Sequence, residues 1–390
     1  MTAAGRGEPL RLQLYVSDLG ATGVVRNAIA IANAAAASGF DVRLLTSVGD
    51  GELRGELDTR VGLVELLSGS DSLGGRKRWQ RKALAPYRRH TRKWRPHLLF
   101  SAGNHGHLLS AAAWRGLPGC KILRISNALD QERPGSSMLS RAYRGWKFRA
   151  LIRRADRLVL VSHALASHPL LAPLVRSGRA VVIPNGVDIE RVRQGAAEPC
   201  PHPWLRQGEP PVVLAVGRHV PQKNFRVLLD GFALARRERT MRLLFLGDGK
   251  AEAIEALRTE ARSLGIADDV GFQPPVPNPF PYMAAASVFA LPSRWEGSSN
   301  VLLEALACGT PVVASPTAGD ASTILGEGRF GVLADPRDPK AWSQAIMRQL
   351  GADAVLPGAR AESFSRAAAI GRYLELFRDC AAGEPVSPRP

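Results

Sequence analysis

The sequence has few of the residues that stabilise small secreted or zinc-containing folds. Only four of its 390 residues are cysteine, and they are widely separated, at Cys120, Cys200, Cys308 and Cys380. No Cys-x-x-Cys pair occurs, so the pattern predicts neither a disulfide framework nor a zinc knuckle. A reducing cytoplasm is the simplest setting for such a chain.

Long apolar runs are also missing. No window of 18 consecutive apolar residues exists, and the alanine-rich run at 28–37 is interrupted by Asn33, so no membrane-spanning helix is predicted. Residues 1–9 are short, polar and glycine-rich, which is not the pattern of a signal peptide. Any association with a membrane is therefore expected to be peripheral.

Acidic residues are scarce in the first half of the chain. The whole sequence has 52 basic and 35 acidic residues, a net charge of +17. Residues 208–390 hold 20 of each kind, so the first 207 residues carry the entire excess. This asymmetry predicts an anionic partner for the N-terminal half.

Two segments concentrate that positive charge beside aromatic residues. Segment 76–95 has ten cations and no acids, and segment 141–157 has seven cations and one acid. Pro86 is expected to prevent one continuous helix over the first segment. Basic residues beside aromatic residues suited to the lipid–water interface favour binding to an anionic membrane surface. A solvated basic face and RNA binding are the alternative interpretations. The aromatic and apolar residues concerned are Trp79, Leu84, Tyr87, Trp94, Tyr143, Trp146 and Phe148.

Most of the chain alternates strand-like and helix-like runs. The pattern predicts a first strand at 10–17, a helix at 24–38 and a second strand at 41–46, and it continues with strand–helix units to about 187. Residues 191–207 contain three prolines and lack periodicity, which indicates a linker. A new series starts at 211. We therefore predict an α/β protein with domains at 1–190 and 208–362, followed by a helix at about 363–380.

Two glutamates eight positions apart, Glu296 and Glu304, are the most informative feature. A strand-like run at 286–291 precedes the first, and a helix-like run at 301–308 contains the second. Glu296 is thus predicted at the carboxyl end of a strand, where open α/β sheets bind ligands. Residues 297–300 favour a helix start, whose free N–H groups attract phosphate. In a purely structural interpretation, Glu296 caps the helix and Glu304 is a solvated helix residue.

This stretch resembles the Glu-x7-Glu signature of retaining glycosyltransferases of family 4. The signature and its flanks are matched by Glu296-Gly297, by residues 300–305 (Asn-Val-Leu-Leu-Glu-Ala) and by residues 308–313 (Cys-Gly-Thr-Pro-Val-Val). The resemblance implies the GT-B fold, in which two Rossmann-like, doubly wound domains face a central cleft. It also implies that the last helix crosses back to the first domain.

The residues after the strand at 211–216 match a second element of the family. Gly217 lets a ligand approach the backbone, and the cations of Arg218 and Lys223 suit a diphosphate. Without a ligand, two cations would be unfavourable beside the positive end of a helix. The resemblance implies donor binding by these three residues and by Gly23, Gly247, Glu296, Gly297, Ser298, Ser299, Asn300, Val301 and Glu304.

The first domain resembles the family less completely. Relatives usually carry a Gly-Gly pair where this chain has Thr22-Gly23. Many relatives also have a histidine at the donor sugar where this chain has Asn127, which is predicted to replace it as a neutral hydrogen-bonding group. His105 and His107 are acceptor-side candidates, either lining the acceptor cleft or simply exposed in a loop.

The resemblance implies transfer of a sugar from a nucleoside-diphosphate sugar with retention at the anomeric carbon. Arg218, Lys223 and the helix start would stabilise the departing diphosphate, whereas Glu296 would hold the sugar and Glu304 the ribose. Residues 300–303 resemble hexose and N-acetylhexosamine transferases, which favours a UDP-linked donor. No Asp-x-Asp motif occurs, so neither a metal nor another cofactor is expected.

The implied acceptor is a glycan or a lipid-linked molecule in polysaccharide, lipopolysaccharide or glycolipid assembly. The enzyme would then work in the cytoplasm, at the inner face of the membrane. A nucleotide-sugar epimerase with the same fold is the main alternative. A nucleic-acid-binding protein is supported only by charge and leaves the neutral C-terminal half unexplained, so no nucleic-acid partner is expected.

Overall fold

The chain folds into two compact units. The structure, a computed structural model, describes residues 8–68, 76–127 and 137–383. The first unit contains the residues up to Pro184 and those from Ala369 onward, and the second is Asn185–Ala368. In both units parallel strands alternate with helices, which confirms the predicted α/β class.

The first unit is built on a parallel sheet. Its described strands are ordered β3-β2-β1-β4-β5-β6-β7. The order reverses between β1 and β4, so the carboxyl ends of these two strands border the kind of crevice that binds ligands. The strands are β1 Arg11–Val16, β2 Asp41–Thr46, β3 Gly62–Glu65, β4 Leu98–Ser101, β5 Cys120–Ile125, β6 Arg157–Leu160 and β7 Ala180–Val182.

Helices cover both faces of this sheet because its strands are apolar on both sides. Leu12 and Leu14 of β1 face one hydrophobic cluster with α1, whereas Tyr15 faces a second cluster with α2, α3 and α4. Full burial of each such side chain contributes about 1.5–3 kcal/mol. The helices are α1 Gly23–Ala37, α2 Arg76–Trp94, α3 His107–Ala113, α4 Met138–Ile152, α5 His163–Ala166 and α6 Ala172–Arg176.

The second unit repeats this plan. Its described strands are ordered β10-β9-β8-β11-β12-β13 and are all parallel. The reversal lies between β8 and β11. The strands are β8 Val212–Val216, β9 Arg242–Leu246, β10 Val270–Gln273, β11 Val288–Leu291, β12 Val312–Ala314 and β13 Val332–Leu333. The helices are α7 Ile189–Ala196, α8 Phe225–Glu238, α9 Ala251–Ser263, α10 Phe280–Ala285, α11 Asn300–Ala307, α12 Ala321–Ile324 and α13 Pro339–Gln349.

The last helix, α14 Arg366–Ala382, returns the chain to the first unit. Tyr373 and Phe377 are buried in the same cluster as Leu12 and Leu14. Phe377 packs edge-on against Phe100, with ring centroids 5.5 Å apart. The crossing-back helix predicted from the family resemblance is therefore present.

The segment predicted as a linker, 191–207, is folded onto the second unit. Asp188 caps α7 by accepting a hydrogen bond from the Arg191 backbone N–H at 3.1 Å. Val192 is buried in the second unit's core, and a short 3-10 turn follows at Pro203–Leu205. The boundary between units thus falls after Pro184. A two-turn helix is too short to give a clear hydrophobic period, and the prolines of this segment suggested a linker instead.

The expected interruption at Pro86 is also corrected. Helix α2 runs through this proline from Arg76 to Trp94. Proline removes one backbone hydrogen bond from a helix interior, and burial on both sides of it offsets this cost. Ala83 and Tyr87 are fully buried, and Thr91 is nearly so.

Candidate active site

The reversal point of the second sheet holds most of the predicted donor residues. Gly217 follows β8 with a φ of +152°, a conformation that favours glycine. A Cβ atom on Gly217 would lie 2.8 Å from Lys223 Cε. The absent side chain therefore leaves the space in which the lysine side chain runs.

Glu296 lies in the loop after β11 and is held by three side chains. Its Oε1 pairs with Lys223 Nζ at 2.8 Å and accepts a hydrogen bond from Ser293 Oγ at 2.8 Å. Its Oε2 accepts a hydrogen bond from Gln222 Nε2 at 3.3 Å. Because Lys223 and Glu296 are both mostly buried, water screens this ion pair less than a surface pair.

Arg218 follows Gly217 and is exposed to solvent. In the part of the chain that the structure describes, its guanidinium has no ion pair. The two predicted phosphate-binding cations thus differ, since Lys223 is paired with Glu296 and Arg218 is available to an anionic ligand.

Helix α11 starts close to Glu296 and has no side-chain cap. Ser299 occupies the capping position, but its hydroxyl donates to Ala318 O at 2.9 Å instead of accepting from the helix. Asn300 Oδ1 accepts a hydrogen bond from Asn185 Nδ2 at 2.9 Å. The first-turn N–H groups, with the positive end of the helix dipole, thus form a suitable place for an anion. Gly297, Ser298 and Val301 complete this predicted helix start.

Glu304 lies in the second turn of α11 and is partly buried. Burial, with a smaller contribution from the negative charge of Glu304, raises the pKa of the Cys308 thiol to about 12. These two residues share one face of the helix end because they are four positions apart. The thiol is therefore protonated at neutral pH and is not a nucleophile.

The loops after β8 and β9 lie against each other at glycines. Gly247 has a φ of +151°, and a Cβ atom on it would lie 2.1 Å from Gly217 O. His219 is buried, bonds through Nδ1 to Asp248 O at 3.2 Å and packs against Phe225. Burial lowers the pKa of His219, so the ring is neutral at pH 7 and does not act as a phosphate-binding cation.

In the first unit, the predicted glycine loop follows β1. Gly23 is the first residue of α1, and the Thr22 hydroxyl caps this helix by accepting from the Val25 backbone N–H at 3.3 Å. Thr22 thus has a structural role, whereas Gly23 remains a candidate for phosphate contact.

Asn127 and His105 also lie in the first unit. The backbone oxygen of Asn127 accepts a hydrogen bond from Asn104 Nδ2 at 2.7 Å, and its side-chain Oδ1 is buried without a partner among the described residues. His105 is exposed, and its backbone oxygen accepts from Gln80. Both remain candidates.

His107 is not the loop residue that the sequence suggested. It begins α3, is fully buried, and bonds to Ser101 Oγ at 2.8 Å and to Arg124 O at 3.1 Å. Burial lowers the pKa of His107 to about 3. Both ring nitrogens already have protein partners, so His107 is a neutral core residue and does not face an acceptor.

Sequence reasoning missed Gln222, Ser293 and Asn224 in this site. Gln222 and Ser293 contact the Glu296 carboxylate directly, and Asn224 binds the neighbouring Arg294. Gln222 and Asn224 flank the predicted ligand residue Lys223, and Ser293 lies three residues before Glu296. None of the three was predicted, because uncharged side chains in loops carry no periodic signal, and the contact of Gln222 with Glu296 depends on how two loops meet.

No helix in the ranges 8–68, 76–127 and 137–383 is long and apolar enough to cross a membrane. Those same ranges contain no group of three or more His, Cys, Asp or Glu side chains arranged to hold a metal ion.

Comparison with known proteins agrees with this arrangement. Residues 21–191 match the family model for "Glycosyltransferase Family 4", and residues 210–351 match the model for "Glycosyl transferases group 1". Among solved structures, HepE from Anabaena, described in complex with UDP and glucose, has a TM-score of 0.72. It is 18% identical, and the match covers 95% of this chain and all of that one.

Two curated relatives are informative. A D-inositol 3-phosphate glycosyltransferase of Segniliparus rotundus is 31% identical over 250 residues, which cover 61% of this chain and 55% of the relative. The lipopolysaccharide core biosynthesis glycosyltransferase LpsE of Rhizobium meliloti is 34% identical over 175 residues, 43% of this chain and 49% of the relative. The chain spans about half the length of the curated relatives it matches. The two family models, the parallel sheets and the returning helix together establish that this chain belongs to the family 4 glycosyltransferases with the GT-B fold.

Proposed function

We propose that this protein is a retaining glycosyltransferase that moves a hexose or N-acetylhexosamine from a nucleoside-diphosphate sugar to a glycan or lipid-linked acceptor. The observation that carries the proposal is the meeting of Lys223, Glu296 and the uncapped start of α11 at the reversal point of the second sheet. Cationic, anionic and N–H groups there match the diphosphate and the hydroxyls of such a donor.

In the proposed reaction, the bond between the anomeric carbon and the diphosphate oxygen breaks, and its electron pair leaves with the diphosphate. Arg218, Lys223 and the first turn of α11 stabilise this charge; one such donor can lower the barrier by about 3 kcal/mol. Glu296 holds sugar hydroxyls, and Glu304 accepts hydrogen bonds from the ribose. The acceptor oxygen bonds to the anomeric carbon on the face that the diphosphate leaves, and its proton passes to the leaving phosphate.

Lys223 has two roles in this proposal. Before the donor binds, it neutralises Glu296, which would otherwise be a mostly buried charge without a cation. When the donor binds, the diphosphate competes for the ammonium group and leaves the carboxylate oxygen to a sugar hydroxyl. Positive charge comes from protein groups, so we expect transfer to continue in the presence of a metal chelator.

A UDP-linked donor is the first choice. The resemblance of residues 300–303 to hexose and N-acetylhexosamine transferases supports this choice. Similarity to HepE, described in complex with UDP and glucose, also supports it. Screening UDP-glucose, UDP-N-acetylglucosamine and GDP-mannose by thermal shift tests the choice directly. Stabilisation by the GDP sugar alone would exclude a UDP donor.

The core of the proposal is tested by two substitutions. Glu296→Gln removes the charge that pairs with Lys223, and Arg218→Ala removes the available cation. We expect each to lower turnover of the donor by at least about a hundredfold, as for loss of one preorganised charge-stabilising group. The matched controls Glu252→Gln and Arg348→Ala change exposed residues of α9 and α13 and should retain wild-type turnover.

Product analysis separates this function from the epimerase alternative. A glycosyltransferase releases nucleoside diphosphate and forms a glycosylated acceptor with the donor's anomeric configuration. Release of an epimeric nucleotide sugar without any acceptor would favour the epimerase instead.

The acceptor is proposed to lie at an anionic membrane surface, with contacts from segments 76–95 and 141–157. Met138, Leu139 and Trp146 of α4 are 84%, 83% and 63% exposed. Tyr143 stacks on Trp146 with ring centroids 6.2 Å apart, and Lys147 Nζ lies 4.6 Å from the Tyr143 ring centroid. An exposed aromatic pair beside cations suits the interface between lipid headgroups and acyl chains.

Helix α2 supplies further positive charge on the same side of the sheet. It shares one hydrophobic cluster with α4, through Tyr87 of α2 and Phe148 of α4. Arg89, Arg92 and Lys93 lie on the outer part of α2 and line a shallow groove. The two helices thus expose apolar and cationic groups from the same sheet face, which supports a peripheral location at the inner membrane surface.

A further inference from the structure

The loops after β8 and β11 are joined by side chains outside the predicted catalytic set. Gln222, in the turn after β8, donates from Nε2 to Trp295 O at 2.9 Å and to Glu296 Oε2 at 3.3 Å. Its own backbone oxygen accepts from the Arg294 backbone N–H at 2.9 Å. One residue of the first loop thus contacts three consecutive residues of the second.

The contacts of Gln222 fix which way its amide group points. A backbone carbonyl and an ionised carboxylate only accept hydrogen bonds, so both must face the NH2 group. The two N–H donors are then both used, one on the Trp295 peptide and one on the Glu296 carboxylate. Replacing the amide by another group of similar size removes both contacts together.

Asn224, two residues after Gln222, adds a second contact with Arg294. It has a φ of 54°, which is uncommon for a residue other than glycine, and it is nearly buried. Its side chain does not cap the helix that follows. It accepts from Arg294 Nε at 3.0 Å and donates to Pro336 O at 2.7 Å. The backbone and the side chain of Arg294, two residues before Glu296, are therefore both held by the loop after β8.

This arrangement matters most when a donor is bound. Glu296 Oε1 is held by Lys223 and Ser293, and Oε2 is held by Gln222. If the diphosphate draws Lys223 away, Gln222 and Ser293 are the side chains left to orient the carboxylate.

We propose that Gln222 is a positioning residue that holds Glu296 in the orientation that binds the donor sugar. This inference rests on the proposed function, because it assigns the sugar to Glu296. It adds that affinity for the sugar, as distinct from the nucleotide, depends on the Gln222 amide group.

The test compares a donor with the nucleotide that lacks the sugar. Gln222→Met keeps the side-chain length and removes both N–H donors. A hydrogen bond to a charged group typically changes an equilibrium by about ten- to a hundredfold. We therefore expect calorimetry to show at least about tenfold weaker binding of UDP-glucose, with UDP binding changed less than about twofold. UDP binding also shows that the variant is folded.

The control is Gln194→Met. Gln194 is an exposed residue of α7 that likewise donates to a glutamate, at 2.7 Å, but outside the site. This variant should bind UDP-glucose and UDP like the wild type. Equal weakening of UDP and UDP-glucose by Gln222→Met would overturn the positioning role and leave Gln222 as a loop-stabilising residue.

UDP-N-acetylglucosamine and GDP-mannose, with UDP and GDP as their references, extend the same measurements to other donors. If the wild type binds none of the three sugars, the proposed function fails and the inference fails with it. If the wild type binds one and Gln222→Met binds it equally well, only the inference fails.

Discussion

At the level of single residues, the chemistry depends on how a few charges are partnered. Glu296 and Lys223 were identifiable from the sequence because their motifs combine spacing with glycine and helix-start signals. Their 2.8 Å contact was not predictable, since 73 residues separate them. Gln222 lies 74 residues from Glu296 and Ser293 only three, and both were missed because uncharged side chains in loops carry no periodic signal.

His107 shows the opposite failure. The pair His105-x-His107 suggested a polar loop, but the second histidine is a core residue with both nitrogens bonded. A single exposed-looking motif does not reveal that a helix begins within it. The fold, rather than the composition, decides which of two histidines is buried.

The neutral state of His107 predicts a pH dependence of stability. Burial lowers its pKa to about 3, below the ordinary value of 6.5 in the unfolded chain. The resulting stability is complete above pH 6.5 and is lost as the pH falls towards 3. The loss approaches about 1.4 kcal/mol per pH unit.

Urea unfolding of the wild type and of His107→Gln between pH 7.5 and 4.5 measures this contribution. The glutamine variant should lose less stability on acidification, because it has no group to protonate at this position. An NMR titration of the wild type supplies an independent check. A His107 ring that titrates near pH 6.5 in the folded protein would contradict the account.

At the level of elements, the strands and helices for which the sequence predicted limits lie within about three residues of those limits. Strand β2 was predicted at its observed limits, because buried parallel strands are short apolar runs between turn signals. Two predictions were wrong, because α7 lies in the proline-containing segment predicted as a linker and α2 continues through Pro86. In both, tertiary packing outweighed a local signal.

Helix α4 gives the prediction at this scale. Replacing Leu139 and Trp146 by serine removes exposed apolar area without touching the buried side of the helix. We expect the double variant to lose at least about half of its recovery with anionic vesicles in flotation, because apolar insertion and lipid charge act together.

Leu356→Ser is the matched control, since Leu356 is also an exposed apolar residue, 63% accessible, but lies in the second unit. The control should float like the wild type. Equal recovery of wild type with neutral and anionic vesicles would exclude the electrostatic part of the proposal.

At the level of the whole molecule, the chain leaves the first unit after Pro184 and returns to it through α14. The family resemblance predicted this crossing, but composition alone could not, because a C-terminal amphipathic helix fits many folds. The charge asymmetry was predictable too, and it falls on the unit that carries α2 and α4. The acceptor was not predictable, because the first domain resembles the family less completely than the second.

The packing of α14 predicts that a distant position controls the stability of the first unit. Phe377 is fully buried and packs edge-on against Phe40 and Phe100. Phe377→Ala should destabilise the first unit by about 3–5 kcal/mol, as for other large-to-small changes in a core. Denaturant unfolding, monitored by hydrogen exchange of the backbone amides of β1, measures this loss of stability. A change below about 1 kcal/mol would show that α14 contributes little.

The central claim is that the loops after β8 and β11 bind the diphosphate of a nucleotide sugar. A crystal structure with bound UDP-glucose, or with whichever nucleotide sugar gives the largest thermal shift, tests it most directly. The account predicts the diphosphate within hydrogen-bond distance of Arg218 and the first turn of α11, with Glu296 on the sugar and Glu304 on the ribose. A donor bound away from Arg218 and Glu296 would contradict it.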